Sequence, residues 1–336
     1  MKWSRTPVGY AVARLSLRLG AALLALTSAM PAQAASAEPI RQFFSRSYNA
    51  TAYISIFSVP IFSRSGVGSG SATAESENLG DERLLNLRFM AGSDPQRAHG
   101  LNRLGLIEES VRERGHSVLH ADYFGLMTSS GEESLEQAKT ALNADSEAMV
   151  SYVATRASLN GISSQYTLGY FRLSSQYKLS NIEQLIEQVQ SEFSSPVGHT
   201  VHKKSDQHAS TFLYSLTEAM QSGQSSLDQQ FLYNGTIFTL HTEKRPDRKA
   251  AEEFRKAGLT DTAGEVQQLS GKIRNEKTGS ETIFRLWFDA SSANLLPLRF
   301  EFRPKAYLKL VFEAEPQAVM HTAPTFDFSR LEEPKP

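Results

Sequence analysis

Leu298-Arg299-Phe300-Glu301-Phe302-Arg303 is the stretch that decides the fold, because apolar and charged side chains alternate along it at every position. Successive side chains of a β-strand point to opposite faces, so this stretch predicts a strand with one apolar and one charged face. Apolar residues also occupy every second position from Phe284 to Phe288 and from Leu308 to Phe312. We therefore predict an antiparallel sheet in the carboxy-terminal third, with its apolar face covered by helices or a second sheet.

The earlier part of the chain predicts further strands. Side chains alternate from Tyr48 to Pro60 and from Leu85 to Phe89, and glycine occupies every second position from Gly66 to Gly70. Glycines on one face of an extended segment allow a backbone or a ligand to approach closely. Two more strands are predicted at 148–155 and 163–179. Together these segments predict an antiparallel meander.

Helical spacing of apolar residues predicts the remaining elements. The clearest amphipathic helix follows Ser180 and ends near Phe193, and a second is predicted from His208 to Gln221. Helical periodicity between Asp94 and Asn143 predicts a helical insertion at about 94–147. The charged segment 244–256 is expected to form an exposed loop or a helical insertion. The predicted fold class is α+β, with a curved antiparallel sheet packed on or wrapped around amphipathic helices.

Residues 1–34 have the organisation of a cleavable secretory signal. They contain four basic side chains and no acidic ones, an apolar stretch from Leu19 to Leu26, and Ala32-Gln33-Ala34 before the predicted cleavage site. The apolar stretch is too short to span a bilayer. We therefore expect a periplasmic protein that begins near Ala35, forms a single domain over 35–336 and has no transmembrane segment.

Composition excludes several classes of function. The chain has no cysteine, which rules out disulfides, thiol catalysis and a lipid-modified cysteine. The whole chain has 35 basic and 36 acidic residues, and without the four basic residues of the predicted signal its formal balance is −5. A mildly acidic chain is poorly suited to nucleic acid, so no nucleic-acid partner is expected.

Four signals in order resemble a known family. An opening tyrosine-containing strand with glycines behind it is followed by Ser210–Tyr214 with Gly223, by Phe231–Gly235, and by Leu286–Asp289 with Leu296–Arg299. Together they resemble the bacterial envelope family called Domain of Unknown Function 3108. This resemblance implies an envelope location and an α+β fold, and it supplies no catalytic residues.

The turn between Trp287 and Arg299 is also similar to that of the Lol-type lipoprotein carriers. In those proteins a curved sheet wraps apolar helices and binds acyl chains. The similarity therefore implies an apolar ligand. Residues 94–160 and 244–256 have no evident counterpart in either resemblance.

Two groups of histidine and aspartate side chains are candidate metal ligands. His116 and His120 are four residues apart, with Asp122 nearby, and a helix would place both imidazoles on one face. Gly115 disfavours a helix there, so surface histidines are the better interpretation. The second group consists of His199, His202, Asp206 and His208. It lies in a predicted polar loop with two lysines, whose charge opposes a cation, so we predict no metal and no cofactor.

The candidate nucleophiles lack the context that catalysis requires. Ser69 lies among glycines but does not have glycine two residues before and after it, as a nucleophile elbow does. Ser175–Lys178 matches the Ser-x-x-Lys string, but positions three apart in a strand point to opposite faces. We predict no catalytic residue and a non-enzymatic protein. A hydrolase whose site is assembled from distant residues is the less favoured alternative.

The functional hypothesis is an apolar groove between the sheet and the helices. An incompletely filled interior would bind a lipid or another apolar envelope molecule, whereas a filled one would be an ordinary core. The candidate lining residues are Phe212, Leu216, Phe231, Phe238, Leu286, Phe288 and Phe300. The alternative is an envelope assembly or scaffolding factor that docks a partner through a sheet edge or through Tyr123–Met127. That segment is interpreted as a lid or contact patch, with buried packing as the other interpretation.

Overall fold

A computed structural model describes residues 41–316, apart from 57–58, 95, 99–103, 116, 129–149, 161–162, 174–181, 194–198, 206–209, 234–235, 262–264, 295 and 306. The predicted signal at 1–34 lies outside the described residues. The described elements all belong to one compact unit. None of the described helices has the length and hydropathy to span a bilayer.

The described strands form one fourteen-stranded sheet in which every neighbouring pair is antiparallel. The strands are β1 (Arg41–Ile56), β2 (Val59–Leu79), β3 (Glu82–Ser93), β4 (Leu104–Arg114), β5 (Ser117–Thr128), β6 (Val150–Asn160), β7 (Ser163–Leu173), β8 (His199–Ser205), β9 (Ser226–Tyr233), β10 (Thr236–Pro246), β11 (Val266–Asn275), β12 (Glu281–Asp289), β13 (Arg299–Lys305) and β14 (Leu308–Ala314). The helices are α1 (Ile182–Phe193), α2 (Phe212–Gln221) and α3 (Arg248–Lys256).

The sheet consists of two meanders that are joined along one edge of each. The strand order runs from β8 back to β1 and then from β14 back to β9. The two meanders meet where β1 pairs with β14, with Tyr48 opposite Ala314 and Ile54 opposite Leu308. The prediction of antiparallel meanders at both ends of the chain is confirmed. The pairing of the first strand with the last places residues distant in sequence side by side.

The sheet is rolled. The rings of Tyr123 on β5 and Tyr233 on β9 lie 5.8 Å apart, measured between centroids. In the strand order β5 and β9 are ten steps apart, which in a flat sheet would separate them by about 48 Å. The sheet must therefore curve until these two strands approach each other. We call the face that carries both tyrosines the inner face.

Of the described helices, only α2 lies against the inner face. Residues of α2 pack with Leu85 and Val111 of the first meander and with Phe231 and Leu286 of the second. The prediction that the sheet is wrapped around amphipathic helices therefore holds for α2 alone. It is corrected for the other helices, which pack against the outer face.

The outer face of the first meander is covered by α1. The buried stripe of this helix, Leu185, Ile186 and Val189, contacts Leu104 and Leu126 among other residues. The prediction of an amphipathic helix ending near Phe193 is confirmed, and the helix packs on the first meander rather than on the apolar face of the carboxy-terminal strands. Beneath the helix, Arg88 Nε lies 3.0 Å from Glu108 Oε1, and Arg88 also contacts Glu183 of α1.

The charged segment 244–256 divides between a strand and a helix. Its first residues complete β10, and α3 follows. Asp247 caps α3 by accepting a hydrogen bond from the Ala250 N–H at 3.0 Å, and it accepts another from Trp287 Nε1 at 2.9 Å. Phe254 of α3 is buried against Trp287 and Leu298. The helical alternative is therefore the correct one, and α3 is a packed element of the outer face.

The predicted helical insertion at 94–147 is wrong over 104–128, which forms β4 and β5, while its second part, 129–147, lies outside the described residues. The cause is that β4 is buried on both faces, with α2 inside and α1 outside. A strand buried on both sides loses simple alternation, because apolar side chains such as Leu106 and Ile107 occur at consecutive positions.

One element boundary differs from prediction, and another falls outside the described residues. The second amphipathic helix begins at Phe212 rather than His208. Of the strand predicted at 163–179, β7 covers Ser163–Leu173, and residues 174–179 lie outside the described residues.

Candidate functional site

The amino terminus of α2 is capped by a carboxylate from another element. Thr211 precedes the helix in extended conformation, and its side chain makes no capping hydrogen bond. Glu109 of β4 supplies the acceptor instead. Its two carboxylate oxygens accept hydrogen bonds from the N–H groups of Leu213 (2.8 Å) and Tyr214 (2.9 Å). These are the donors that a local cap would satisfy, so a side chain of the sheet fixes where α2 begins.

Glu109 is fully buried. Burial raises the pKa of Glu109 to about 7, although the backbone hydrogen bonds from α2 oppose the shift. A second carboxylate of β4, Glu113, accepts a 2.5 Å hydrogen bond from the Tyr214 hydroxyl and lies 3.4 Å from an Arg83 nitrogen. Both carboxylates therefore have structural partners that account for their position.

The carboxyl terminus of α2 is held by a cation. Lys244 of β10 donates hydrogen bonds from Nζ to the backbone carbonyls of Met220 (3.3 Å) and Ser222. Burial lowers the pKa of Lys244. A carboxylate at the amino terminus and an ammonium at the carboxyl terminus complement the helix dipole. The sheet thus anchors α2 at both ends, with one residue from each meander.

The seven predicted groove residues belong to one apolar cluster. Phe231, Leu286 and Phe288 are buried, and the other four are only partly buried. The cluster is mainly aromatic at α2: the Phe212 and Phe231 rings are 5.1 Å apart, and Phe231 stacks on Phe238 at 5.4 Å. The structure therefore brings all seven residues together on the inner face, as members of α2, β9, β10, β12 and β13. We call them the aromatic cluster.

A glycine lets one aromatic ring lie against the sheet next to the aromatic cluster. Gly271 of β11 is directly opposite Phe284 of β12. A Cβ added at Gly271 would overlap with the Phe284 ring. The Phe284 ring therefore occupies the space that the Cβ of any other residue at position 271 would fill. Phe284 itself belongs to the same buried group as Leu286.

Apolar side chains continue along the inner face beyond the aromatic cluster. Phe300 stacks on Phe312 with centroids 4.4 Å apart. The neighbouring register pairs are Phe302 with Leu310, Ile54 with Leu308, and Ile54 with Phe62. Residues directly opposite in an antiparallel pair share a face. This path, which we call the inner lining, therefore leads from the aromatic cluster to the end of the sheet formed by β1, β2 and β14.

Exposure increases along the inner lining. Phe312 is buried, Phe302 and Leu310 are partly buried, and Ile54 and Phe62 are exposed. Apolar side chains on the inner face of a rolled sheet would be buried if α2 covered them. The inner face is therefore covered along the middle of β1, where Tyr48 and Ala50 are buried, and becomes accessible only at the strand ends around Ile54 and Phe62.

The remaining candidate residues are placed as follows. Tyr123–Met127 is part of β5 with Tyr123, Phe124 and Leu126 buried, so the interpretation as a lid or contact patch is wrong and buried packing is correct. The glycine run Gly66–Gly70 lies in β2. A Cβ at Gly68 would overlap with the backbone of Gly92 on β3, so of the two predicted neighbours of this glycine face, a backbone or a ligand, the structure shows a backbone at Gly68. Ser69 belongs to the same strand.

The described histidines lie on strands, and His120 is partly exposed, in line with the favoured interpretation as a surface histidine. His120 and Asp122 are on β5, with His120 Nε2 2.9 Å from Asp122 Oδ2. His199 and His202 lie on β8, which corrects the predicted polar loop. His116, Asp206, His208 and Ser175–Lys178 lie outside the described residues. Among the residues that are described, no group of three potential ligands is close enough to hold a metal ion.

Sequence reasoning missed the residues that anchor α2 and those that extend the lining. Glu109 lies between Ile107 and Val111 at an apolar position of its strand, and this misplaced acidic residue is the signal that could have marked it. Lys244 offered no comparable signal, since it lies in a charged segment. Ile54 and Phe62 were predicted in strands, but their shared face depends on the β1–β2 register.

No family model and no curated protein matches the chain. Among solved structures, one similar chain is a beta-barrel-like protein of Domain of Unknown Function DUF1849 from Brucella abortus. The alignment covers 82% of this chain and 95% of the other, with 9% sequence identity and a TM-score of 0.45. The resemblances to Domain of Unknown Function 3108 and to the Lol-type carriers stay predictions.

Proposed function

We propose that this protein is a non-enzymatic periplasmic binder of an apolar envelope molecule, and that the ligand is an acyl chain held along the inner lining. The observation that carries the proposal is the continuity of partly exposed apolar side chains from Phe300 to Phe62. These side chains lie on the inner face of a rolled sheet, where a chain-like ligand would be enclosed on more than one side.

The energetics of acyl binding fit such a lining. Each buried methylene contributes about 0.8 kcal/mol, so a long chain gains affinity from contact area and requires few polar groups. The aromatic cluster adds flat surfaces that adapt to an extended hydrocarbon. Phe302 and Leu310 lie midway along the path, and they would become buried when a ligand is bound.

One positive charge lies beside the outer part of the lining. Arg64 of β2 is directly opposite Ala52 of β1, two residues from Phe62, and therefore on the same face. Its side chain is partly buried. A guanidinium at this position would favour an acyl chain with an anionic end group, such as a carboxylate or a phosphate. The preferred ligand class is therefore a fatty acid or an anionic lipid.

The periplasmic part of the proposal depends on the amino-terminal sequence. Residues 1–34 have the charge and hydropathy order of a cleaved export signal. The absence of cysteine is compatible with an oxidising compartment. Cell fractionation with a carboxy-terminal tag tests this part, and a cytoplasmic full-length chain would overturn it.

The test of ligand binding has two stages. Native mass spectrometry of protein purified from the periplasm is expected to show a co-purifying lipid. Delipidated protein is then titrated with a fluorescent fatty acid. Phe62→Asp places a charge on the lining and is expected to weaken binding by at least about tenfold, since it removes apolar contact and repels the end group.

Ile283→Asp is the matched control, because Ile283 is also an exposed apolar residue but occupies the outer face next to Phe284. It is expected to change the affinity for the fatty acid by less than about twofold. A folded wild-type protein that carries no lipid and binds no fatty acid would overturn the proposal. Equal effects of the two substitutions would place the ligand elsewhere.

A further inference from the structure

The most exposed apolar side chains are concentrated at one end of the sheet. Among the described residues, the four large apolar side chains with the greatest exposure are Ile61 (61%), Ile283 (59%), Tyr307 (58%) and Phe62 (51%). Ile54, which is 41% exposed, lies directly opposite Phe62. We call these five residues the apolar rim. Single exposed apolar residues are common, but a concentration of this kind marks an interaction surface.

The apolar rim extends across five adjacent strands, with its members on β2, β1 and β12 and in the turn between β13 and β14. In the strand order β2, β1, β14, β13 and β12 are consecutive. Ile61 and Phe62 lie near the start of β2, Ile54 near the end of β1, Tyr307 just before β14, and Ile283 near the start of β12. Four strand spacings correspond to about 19 Å. The apolar rim therefore extends over a surface broad enough to contact a flat partner.

The charge around Ile283 is predominantly positive. Two acidic side chains at this end are paired with lysines: Glu281 with Lys272 at 3.2 Å, and Glu301 with Lys309 at 3.5 Å. Further positive charge comes from exposed arginines on β12 itself and on its two neighbours, β11 and β13. They are Arg274, Arg285 and Arg303. An apolar surface bordered by basic side chains is complementary to an anionic bilayer, whose acyl region accepts apolar groups and whose headgroups attract cations.

The side chain of Tyr307 is suited to the same partner. It lies at the turn between β13 and β14 and is more than half exposed. Tyrosine is favoured at the boundary between acyl chains and headgroups, because its ring is apolar and its hydroxyl is polar. A turn at the end of a sheet can insert such a ring without disturbing strand pairing.

We propose that the apolar rim docks this protein on an anionic lipid bilayer. The contact is peripheral, with Ile61, Ile283 and Tyr307 inserted among the headgroups and the arginines next to anionic lipids. This inference goes beyond the proposed ligand binding and does not require it. If both are correct, the exposed end of the inner lining faces the bilayer, so an acyl chain passes between membrane and protein without crossing water.

The experiment measures co-sedimentation of the mature chain with vesicles. Binding to vesicles of phosphatidylcholine with phosphatidylglycerol is expected to exceed binding to phosphatidylcholine alone by at least about fivefold for each arginine engaged, and to fall with added salt. Ile61→Glu combined with Ile283→Glu is expected to reduce the bound fraction at least about tenfold. Arg285→Glu combined with Arg303→Glu is expected to abolish the preference for the anionic vesicles.

The matched control is Leu79→Glu combined with Leu119→Glu. These leucines are also exposed, at 41% and 37%, but Leu79 lies at the opposite end of β2 from Ile61. The control is expected to bind vesicles like the wild type. Circular dichroism melting of every variant identifies loss of folding. The variant with both arginines reversed in charge keeps the apolar residues in place, so it tests the electrostatic part of vesicle binding independently.

Three outcomes overturn the proposal: no binding of folded wild-type protein to anionic vesicles, equal loss of binding in the control variant, or a dimer in light scattering that the Ile61 and Ile283 substitutions convert to a monomer. The last outcome would assign the apolar rim to contact between two copies. Titration of the same variants with soluble fatty acid separates the two proposals. Vesicle binding without fatty-acid binding would support only the docking surface. Fatty-acid binding without vesicle binding would support only the ligand site.

Discussion

Glu109 of β4 accepts a hydrogen bond from the backbone N–H of Tyr214 in α2, although the two residues are separated by 105 positions in the sequence. The same carboxylate accepts the N–H of Leu213. A strand of the first meander therefore caps the helix that packs against the aromatic cluster of the second meander. This contact couples the two halves of the rolled sheet.

Replacing Glu109 by Leu is expected to lower the free energy of unfolding by about 2–4 kcal/mol, because the N–H groups of Leu213 and Tyr214 lose their acceptor. Urea unfolding followed by circular dichroism measures the change. Glu252→Leu, on the exposed side of α3, is the control and should alter stability by less than about 0.5 kcal/mol. A Glu109 variant as stable as the wild type would show that α2 does not depend on this cap.

Stability is expected to fall as pH rises from 4.5 to 7, because of Glu108. Burial beneath α1 raises its pKa from 4.5 to about 7, although Arg88 opposes the shift. In this interval the folded chain retains a proton that the unfolded chain releases, so the stability contributed by protonated Glu108 is lost with increasing pH.

Urea unfolding of wild type and Glu108→Gln at several pH values tests this sign. The neutral amide does not titrate, so the stability of the variant relative to the wild type is expected to improve from pH 5 to pH 8. Subtracting the free energy of unfolding of the wild type from that of the variant at each pH cancels the contributions of the other titratable groups. A difference that is constant over this range would contradict the raised pKa.

Gly271→Ala is expected to destabilise the protein by about 1–3 kcal/mol, since its Cβ overlaps with the Phe284 ring and forces the ring away from the sheet. Thermal unfolding provides the measurement. Gly105→Ala is the matched control in a strand, because an added Cβ there has no neighbour within 4 Å. If both substitutions destabilised the protein equally, the loss of stability would come from the backbone at glycine and not from displacement of the Phe284 ring.

Lys244→Ala is expected to cost about 1 kcal/mol and to loosen the last turn of α2, because the carbonyls of Met220 and Ser222 lose their cation. Hydrogen exchange of amides in α2 detects the effect locally. Lys249→Ala, which removes an exposed lysine of α3, serves as the control. If hydrogen exchange at the end of α2 were unchanged in Lys244→Ala, Lys244 would not anchor this end of the helix.

The sequence predicted most strands of the second meander because apolar side chains occupy every second position along them. Phe300 and Phe302 alternate with charged residues, and both pack within the cores as expected. The seven residues of the aromatic cluster were predicted together for the same reason. The prediction failed at β4, where helices cover both faces and Glu109 replaces an apolar residue on the inner face.

Local pattern by itself determined the period-2 strands, the amphipathic stripe of α1 and the identity of the aromatic cluster, because these depend on the spacing of neighbouring side chains. Tertiary structure alone decided that β1 pairs with β14, that Glu109 and Lys244 anchor α2, and that Ile54, Phe62 and Ile283 lie at one end of the sheet. Those relationships arise from strand order and register. Pairing energies are summed over whole strands that are far apart in sequence, so no single stretch of the chain encodes them.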